Sequence, residues 1–493
     1  MIYNFNLGIG WASSGVEYAQ IYRARMFRNI GVDAKFVFTD MFPSENMEHM
    51  TKNIGFLDSE VIWLYTFFTD FKTAPVTYTL SDLEKTFTDL NYTKTREGKI
   101  CRYVFGGSNN FYTAYMVNDH DDFVHRVELV SNGFLIRKDY FTYGRVYSEY
   151  YAPLDNAAHL YHRRFFNENG SVAYEEIIDD DRVMYKFKDK ILCSKEEFVG
   201  YMVSQLHLTK DDVVLIDRST DIGQSILMNC KPARVGTVVH ADHFSEKDTN
   251  DDYILWNNFY EYEFNMHKHI DFYICSTQAQ SDLMVQQFEK YYGVTPCVYT
   301  IPVGSLPELK YPKENRKPFS LITASRLASE KHVDWICKAV IQARREVPEV
   351  SLDIYGVGGE REKLETIIRD NNASDYIHLM GQHDLSEVYQ NYEAYIAGST
   401  SEGFGLTLME AVGGGLPIIG FDVRYGNPTF IRNGENGYLI SLPEEDKERI
   451  EALRKGIVDL FKQDLEKCHS VSYEVAKDFL TCNVQEKWRE AVC

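Results

Sequence analysis

Between Glu60 and Leu206 the chain is written in two-residue alternation. The segments "CRYVFGG", "FYTAYMVN", "FVHRVELVSNGFLIRKDYF", "GRVYSEYYA", "AAHLYHRRFFNENGSVAYEEII" and "RVMYKFKDKILC" switch between apolar and polar residues at nearly every step. A helix would smear that pattern around its circumference, whereas a strand sends it to two opposite faces. Ser131-Asn132-Gly133 and Asn167-Glu168-Asn169-Gly170 supply hairpin turns between such segments. The pattern predicts a meander of antiparallel strands with aromatic and charged residues on open faces. Its edges can pair with a partner sheet or an extended peptide, or the insert can simply pack.

On either side of the meander the period changes. "MIYNFNLG" reads as a strand, a glycine turn follows, "GVEYAQIYRARMFRNIG" reads as a helix and "DAKFVFTD" as the next strand. This β-turn-α-β order opens a parallel α/β domain. It resumes with "DVVLIDRST", "RVGTVVHADH" and "IDFYICST". The stretch 298–319, rich in proline and lysine, reads as a linker. Beyond it "SLITASRL", "SLDIYGVG", "YIHLMG", "AYIAGS", "PIIGF" and "GYLIS" alternate with helical stretches, a second parallel α/β domain. The expected organisation is therefore 1–58 and 207–304 as the two parts of a first Rossmann-like domain, with 59–206 as its β-sheet insertion. Residues 305–474 form the second Rossmann-like domain, and 475–493 a C-terminal helix returning to the first.

The 493 residues carry a net charge of −21, which argues against nucleic acid as the partner. An aromatic share of 14% suits either extended sheet or a carbohydrate-facing surface. No apolar run is long enough for a membrane span, and the N-terminus has no signal-peptide pattern. Nine cysteines without a CxxC or His/Cys cluster read as reduced thiols of a cytoplasmic protein without structural zinc.

Candidate chemistry concentrates in "STSEGFGLTLMEAVGGGLPIIG", Ser399 to Gly420. A strand ends there and a helix begins, so backbone amides of Gly403, Phe404 and Gly405 can face a phosphate. Glu402 would repel an anion and suits hydroxyl groups. Glu410, expected about two turns into the helix, suits the vicinal hydroxyls of a ribose. Read alone, the two acids also fit a helix whose first carboxylate favours the dipole and whose second is solvated. "SRLASEKHVDW" places Arg326 and Lys331 together at another strand end, where two cations can neutralise a diphosphate. "YGVGGEREKLE" adds a glycine turn at Gly356, Gly358 and Gly359. "MGQHDLSEVY" adds a loop at Gly381, Gln382 and His383 whose backbone can pair with a base edge.

The series SRL-x-x-EK, YG-x-G, G-x-x-x-L and E-G-F-G-L-x-x-x-E-A-x-x-x-G-x-P, within residues 318–445, resembles the nucleotide-sugar domain of retaining glycosyltransferases of the GT-B fold, family four. The resemblance implies two Rossmann-like domains facing across a cleft. It implies that Glu402 engages the donor sugar, Glu410 holds the ribose, Arg326 and Lys331 clamp the diphosphate, and Thr407 and Leu408 lie on the phosphate-binding helix turn. It also implies roles near the donor for Gly15, in the glycine loop Gly8 to Gly15, and for His240, with His243 as a nearby alternative. Retention without an obvious nucleophile suggests a same-face mechanism, and no DxD-type pair in the right context calls for a metal.

With "YNFNLGIGWASSGVEYAQIYRA", the β insertion is similar to that of the glycosyltransferase subunits of accessory secretion systems in Gram-positive bacteria. That resemblance implies GlcNAc transfer from UDP-GlcNAc to Ser/Thr hydroxyls of serine-rich repeat adhesins before export, and no cofactor. It further implies a homologous inactive partner subunit and peripheral contact with the inner face of the cell membrane through the complex. Two other readings stay open: a wall teichoic acid or polyglycerol-phosphate α-glucosyltransferase using UDP-Glc, and a non-catalytic peptide-binding chaperone subunit. The last should have lost an acid of the E-x7-E pair or a cation, and all four are present.

Overall fold

The computed structural model describes residues 1–9, 15–43, 45–88, 91–106 and 109–493. The chain packs into two compact units. One comprises Met1–Ile21, Val32–Thr237 and Asn258–Asp271; the other comprises Tyr22–Gly31, Val238–Asn257 and Phe272–Cys493.

In the first unit, strands Val61–Trp63, Ala34–Phe38, Ile2–Asn6, Val213–Ile216 and Arg234–Val239 lie side by side in that order, all parallel. Phe5, Phe36, Phe38 and Val214 are fully buried, as expected for parallel strands covered on both faces. At the carboxyl end of Ile2–Asn6, the Asn6 amide donates to Gln20 at 3.2 Å, and Gln20 donates to Asp217 at 2.8 Å.

Ten described strands of the same unit form an antiparallel sheet whose spatial order is its sequence order, from Tyr92–Glu97 to Ile191–Leu192. The turn Asn132-Gly133 has φ 52° and 83°, joining Val124–Ser131 to Phe134–Phe141 with Ser131 opposite Phe134. The three aspartates 179–181 fall at another hairpin, with Asp179 opposite Arg182. Strand Tyr92–Glu97 was not anticipated, because its "YTKTRE" is almost wholly exposed and carries little apolar alternation. Many aromatics expected on open faces are instead buried in stacks. Phe165 lies on Tyr174 at 4.5 Å, and Tyr185 on Phe198 of the helix Lys195–Gln205 at 4.1 Å. Within the sheet the Arg163 guanidinium donates to Glu149 at 2.9 Å and to Glu176 at 2.8 Å. Tyr140 and Tyr151 hydroxyls also donate to Glu149, so these buried charges are paired and hydrogen-bonded.

In the second unit six parallel strands run in the order Ile377–Gly381, Ser351–Tyr355, Ser320–Ala324, Ala394–Ile396, Ile418–Phe421, Gly437–Ile440. The direction of winding reverses between Ser320–Ala324 and Ala394–Ile396. Loops leaving the carboxyl ends of those two strands therefore diverge and open a crevice. The turn at Gly356 and Gly358 serves close backbone packing. A Cβ at Gly356, where φ is 135°, would lie 1.9 Å from the Ser325 carbonyl oxygen. The stretch before Ser320 is strapped to this unit, with Arg316 donating to the carbonyls of Gln390, Tyr392 and Gly414. At the C-terminus the expected boundary at 474/475 falls inside helix Leu465–Lys477. That helix ends at Lys477, and residues 478–480 turn into helix Thr481–Val492, whose Trp488 packs edge-on against Phe27.

Candidate active site

Strand Ala394–Ile396 passes into a turn in which Phe404 is buried against Phe430 and Phe479. Gly405 has φ 87°, and a Cβ there would meet Leu408 at 2.6 Å, so this position needs glycine for two reasons. The helix begins only at Leu406 and runs to Gly413. Glu410 thus stands just over one turn in, not two, because the left-handed Gly405 delays the helix start. Among the described residues, none of the backbone amides of 403 to 407 donates to another protein group. They are orphan donors at a helix start, suited to an anion.

The reversal of winding brings the two predicted strand-end loops together. Lys331, in the short helical turn Ser329–Lys331, donates from Nζ to Glu402 Oε2 at 2.6 Å. Both side chains are about four-fifths buried, with exposures of 19% and 20%. Arg326 does not join Lys331. Its side chain is 78% exposed and pairs at 3.1 Å with Glu330, a solvent-facing residue of the same turn that carries Lys331. Glu402 is further held through its main chain. Its amide donates to the Arg424 carbonyl at 3.1 Å, and its own carbonyl accepts from the amides of Tyr425 at 2.6 Å and Gly426 at 2.7 Å.

Glu410 accepts a hydrogen bond from the Tyr389 hydroxyl at 3.0 Å, and burial raises its pKa above the usual carboxylate value. Thr407 Oγ1 lies 3.0 Å from the Tyr395 hydroxyl, while Leu408 is buried beneath the turn. The Gly381-Gln382-His383 loop follows strand Ile377–Gly381. Gly381 has φ 77° and its carbonyl accepts from the Gly356 amide at 2.7 Å. Gln382 and His383 are exposed, and His383 Nε2 sits 2.8 Å from the Met380 carbonyl.

His240 follows strand Arg234–Val239, and its carbonyl lies close to the turn: a Cβ on Gly403 would stand 3.6 Å from it. His243, the alternative, is fully buried between Gln287 at 2.7 Å and Tyr425 at 3.3 Å, and burial lowers its pKa to about 4. It belongs to the packing. Gly15, in the first unit, is the first residue of helix Gly15–Ile30, while residues 10–14 of the predicted glycine loop lie outside the described residues. The sequence reading missed Tyr389, Tyr395, Asp242 and Tyr425. Only the position of Tyr425 after the strand Ile418–Phe421 could have pointed to one of them. Among the described residues no group of three or more His, Cys, Asp and Glu side chains is placed to hold a metal ion, and no helix is long and apolar enough to cross a membrane.

Comparison with known proteins decides the family. Residues 308–478 match the family described as Glycosyl transferases group 1, and residues 93–189 match the GtfA extended beta-sheet domain. The UDP-N-acetylglucosamine–peptide N-acetylglucosaminyltransferase GtfA subunit of Streptococcus agalactiae is 52% identical over 99% of this chain and 97% of its own length. This chain belongs to the GtfA glycosyltransferase family. A crystal structure of a GtfA/B complex contains a chain 52% identical to it, matching at a TM-score of 0.96 over 100% of this chain and 99% of that one. The pneumococcal O-GlcNAc transferase GtfA, solved in complex with UDP and GlcNAc, is 49% identical, with a TM-score of 0.87 over 100% of this chain and 98% of that one. The GT-B architecture of the GtfA family is therefore the architecture of this chain, with its ten-stranded sheet inside the N-terminal half.

Proposed function

We infer that this chain transfers N-acetylglucosamine from UDP-GlcNAc to Ser/Thr hydroxyls of a polypeptide. The observation that carries the reading is the Lys331–Glu402 pair beside the unsatisfied amides of 403–407. It joins a cation, a hydroxyl-binding acid and an anion-binding helix start in a chain of the GtfA family. In the proposed arrangement Glu402 engages the donor sugar and Lys331 the diphosphate. Their ion pair holds each at its post before the ligand arrives. Arg326 completes the clamp by leaving Glu330, since an exposed pair of this kind costs only about 0–1 kcal/mol to break. Glu410 takes the ribose hydroxyls, and the loop 381–383 the base. His240 stands at the sugar, and Gly15 near the phosphates.

Transfer proceeds on one face of the sugar. The departing β-phosphate oxygen accepts the proton of the incoming hydroxyl as the C1–O bond to phosphate breaks and the new glycosidic bond forms. Lys331, Arg326 and the amides of the turn stabilise the growing charge, and no metal takes part. We place the reaction in the cytoplasm, on a serine-rich repeat adhesin. A homologous partner subunit docks on the extended sheet, and any contact with the membrane is peripheral and through that complex. The test is mass spectrometry of a Ser/Thr-rich peptide incubated with UDP-GlcNAc or UDP-Glc, with and without the partner. Addition of a HexNAc mass from UDP-GlcNAc is expected. Hexose addition alone would overturn the donor assignment, and no addition under any condition would overturn the activity.

A further inference from the structure

Resting on the site reading above, we propose that Asp242 is a positioning residue for transfer. It acts through Tyr425 and Arg424 to hold His240 beside the turn that carries Glu402.

Two consecutive residues connect the two segments. Through their backbones, Arg424 and Tyr425 pair with Glu402 in a short parallel bridge, which Gly426 extends. Through their side chains, the same two residues grip the segment that follows His240. The Tyr425 hydroxyl donates to Asp242 Oδ1 at 2.6 Å. The Arg424 guanidinium reaches Asp242 Oδ2 at 3.5 Å and Glu246 at 3.1 Å, and lies 4.8 Å over the Phe244 ring. Tyr425 is 1% exposed, and its hydroxyl makes a charge-assisted hydrogen bond to a carboxylate whose side chain is 40% exposed. Asp242 is two residues from His240. Asn257 and Gln280 hold this short stretch by donating to the carbonyls of Asp242 and Ala241, and the Asp242 carboxylate adds the tie that leads to Glu402, beside the His240 carbonyl that abuts Gly403.

The logic is that of a brace with separable parts. The main-chain bonds to Glu402 survive any side-chain change at 242 or 425, so the donor turn itself should persist. What is lost is the fixed distance between His240 and Glu402, and a small misplacement of reacting groups costs rate more than binding. Nothing in the brace touches Glu410 or the 381–383 loop, so nucleotide affinity should be spared.

The experiment measures GlcNAc transfer and UDP affinity for D242A, Y425F, the double variant and D242N, with H240A alongside. D242A and Y425F are each expected to lower kcat about ten- to a hundredfold while the UDP Kd stays within about twofold. The double variant should be no slower than D242A alone, because both remove one link. D242N, which keeps an acceptor for Tyr425, should recover most of the rate. Unchanged kcat in D242A and Y425F, a UDP Kd that weakens in step with kcat, multiplying effects in the double variant, or a D242N as slow as D242A would each overturn the proposal. Y425F removes one oxygen and keeps the ring packing, so the test survives if D242A does not fold. H240A separates the two readings. Full transfer by H240A sinks the assignment of His240 to the site, whereas an inactive H240A with normal D242A and Y425F sinks the brace alone.

Discussion

The ten-stranded antiparallel sheet and the six-stranded parallel sheet solve different problems. In the first, every strand pairs with its neighbour in sequence, and register is set across short turns such as the one that puts Ser131 opposite Phe134. In the second, Ser320–Ala324 pairs with Ala394–Ile396, and Lys331 meets Glu402 from 71 residues away. Local pairing can build a broad surface with its own buried charges, but it does not bring distant loops to one point. The parallel sheet does so because its winding reverses, leaving strand-end loops side by side. A broad surface and a convergence of distant loops are thus divided between two kinds of sheet.

The largest test of that division is Arg163→Met in the antiparallel sheet. It strands Glu149 and Glu176 in buried positions and should cost about 3–5 kcal/mol in denaturant unfolding. UDP binding should remain at temperatures where the variant is folded. Loss of UDP affinity in the folded variant would show that the two sheets are not independent. Glu402→Gln and Lys331→Ala should behave oppositely. Transfer falls by about a hundredfold or more, a barrier rise of about 3 kcal/mol, with a smaller loss of stability than at Arg163, because this pair keeps about a fifth of its surface in solvent. Full activity in both would remove the site from the crevice of the parallel sheet.

Acid sensitivity sharpens the comparison, because desolvation lowers the pKa of three histidines to about 4: the half-buried His125 in the first unit, and the buried His243 and His469 in the second. The unfolded chain binds a proton near 6.5 and the folded chain only near 4. Each histidine's contribution is therefore complete above pH 6.5 and is lost as the pH falls from 6.5 to 4, about 3 kcal/mol for full burial. His243→Gln should make that part of the stability profile shallower for the second unit, where His469 still contributes, and His125→Gln should do the same for the first. Urea unfolding at pH 7 and pH 4.5 measures both, and an unchanged slope in either variant would remove that histidine from the account. The smallest effect is expected at Gly133, where φ is 83° and a Cβ would meet nothing within 4 Å. Gly133→Ala should cost about 1 kcal/mol of backbone strain and leave transfer intact.

Much of the antiparallel sheet was legible because alternation and Asn-Gly turns are local signals. Strand Tyr92–Glu97 escaped because an exposed edge needs no apolar alternation. In the second unit the glycine motif announced the turn at 403–405, yet Gly356 and Gly358 carried the same signature and serve backbone packing, a Cβ on Gly358 standing 2.4 Å from the Leu327 carbonyl. A glycine marks a close approach without saying what approaches. Arg326 and Lys331 lie five positions apart and looked equivalent, but one faces solvent and the other a carboxylate. Tyr389 gave no sign and Tyr425 only its position after a strand, since such a tyrosine acquires a role only from the partner that packing places before its hydroxyl.

By itself the sequence determined the succession of strands and helices, the two sheet types and the spacing of Glu402 and Glu410. These follow from backbone preferences and side-chain periods that act over a few residues. Only the tertiary structure decided that Lys331 rather than Arg326 pairs with Glu402, that the helix starts at Leu406, and that Asp242 is bound to Tyr425, which pairs with Glu402 through its backbone. Those outcomes depend on where crossover connections return the chain, and a return path is set by packing the whole sheet rather than by any short stretch of residues.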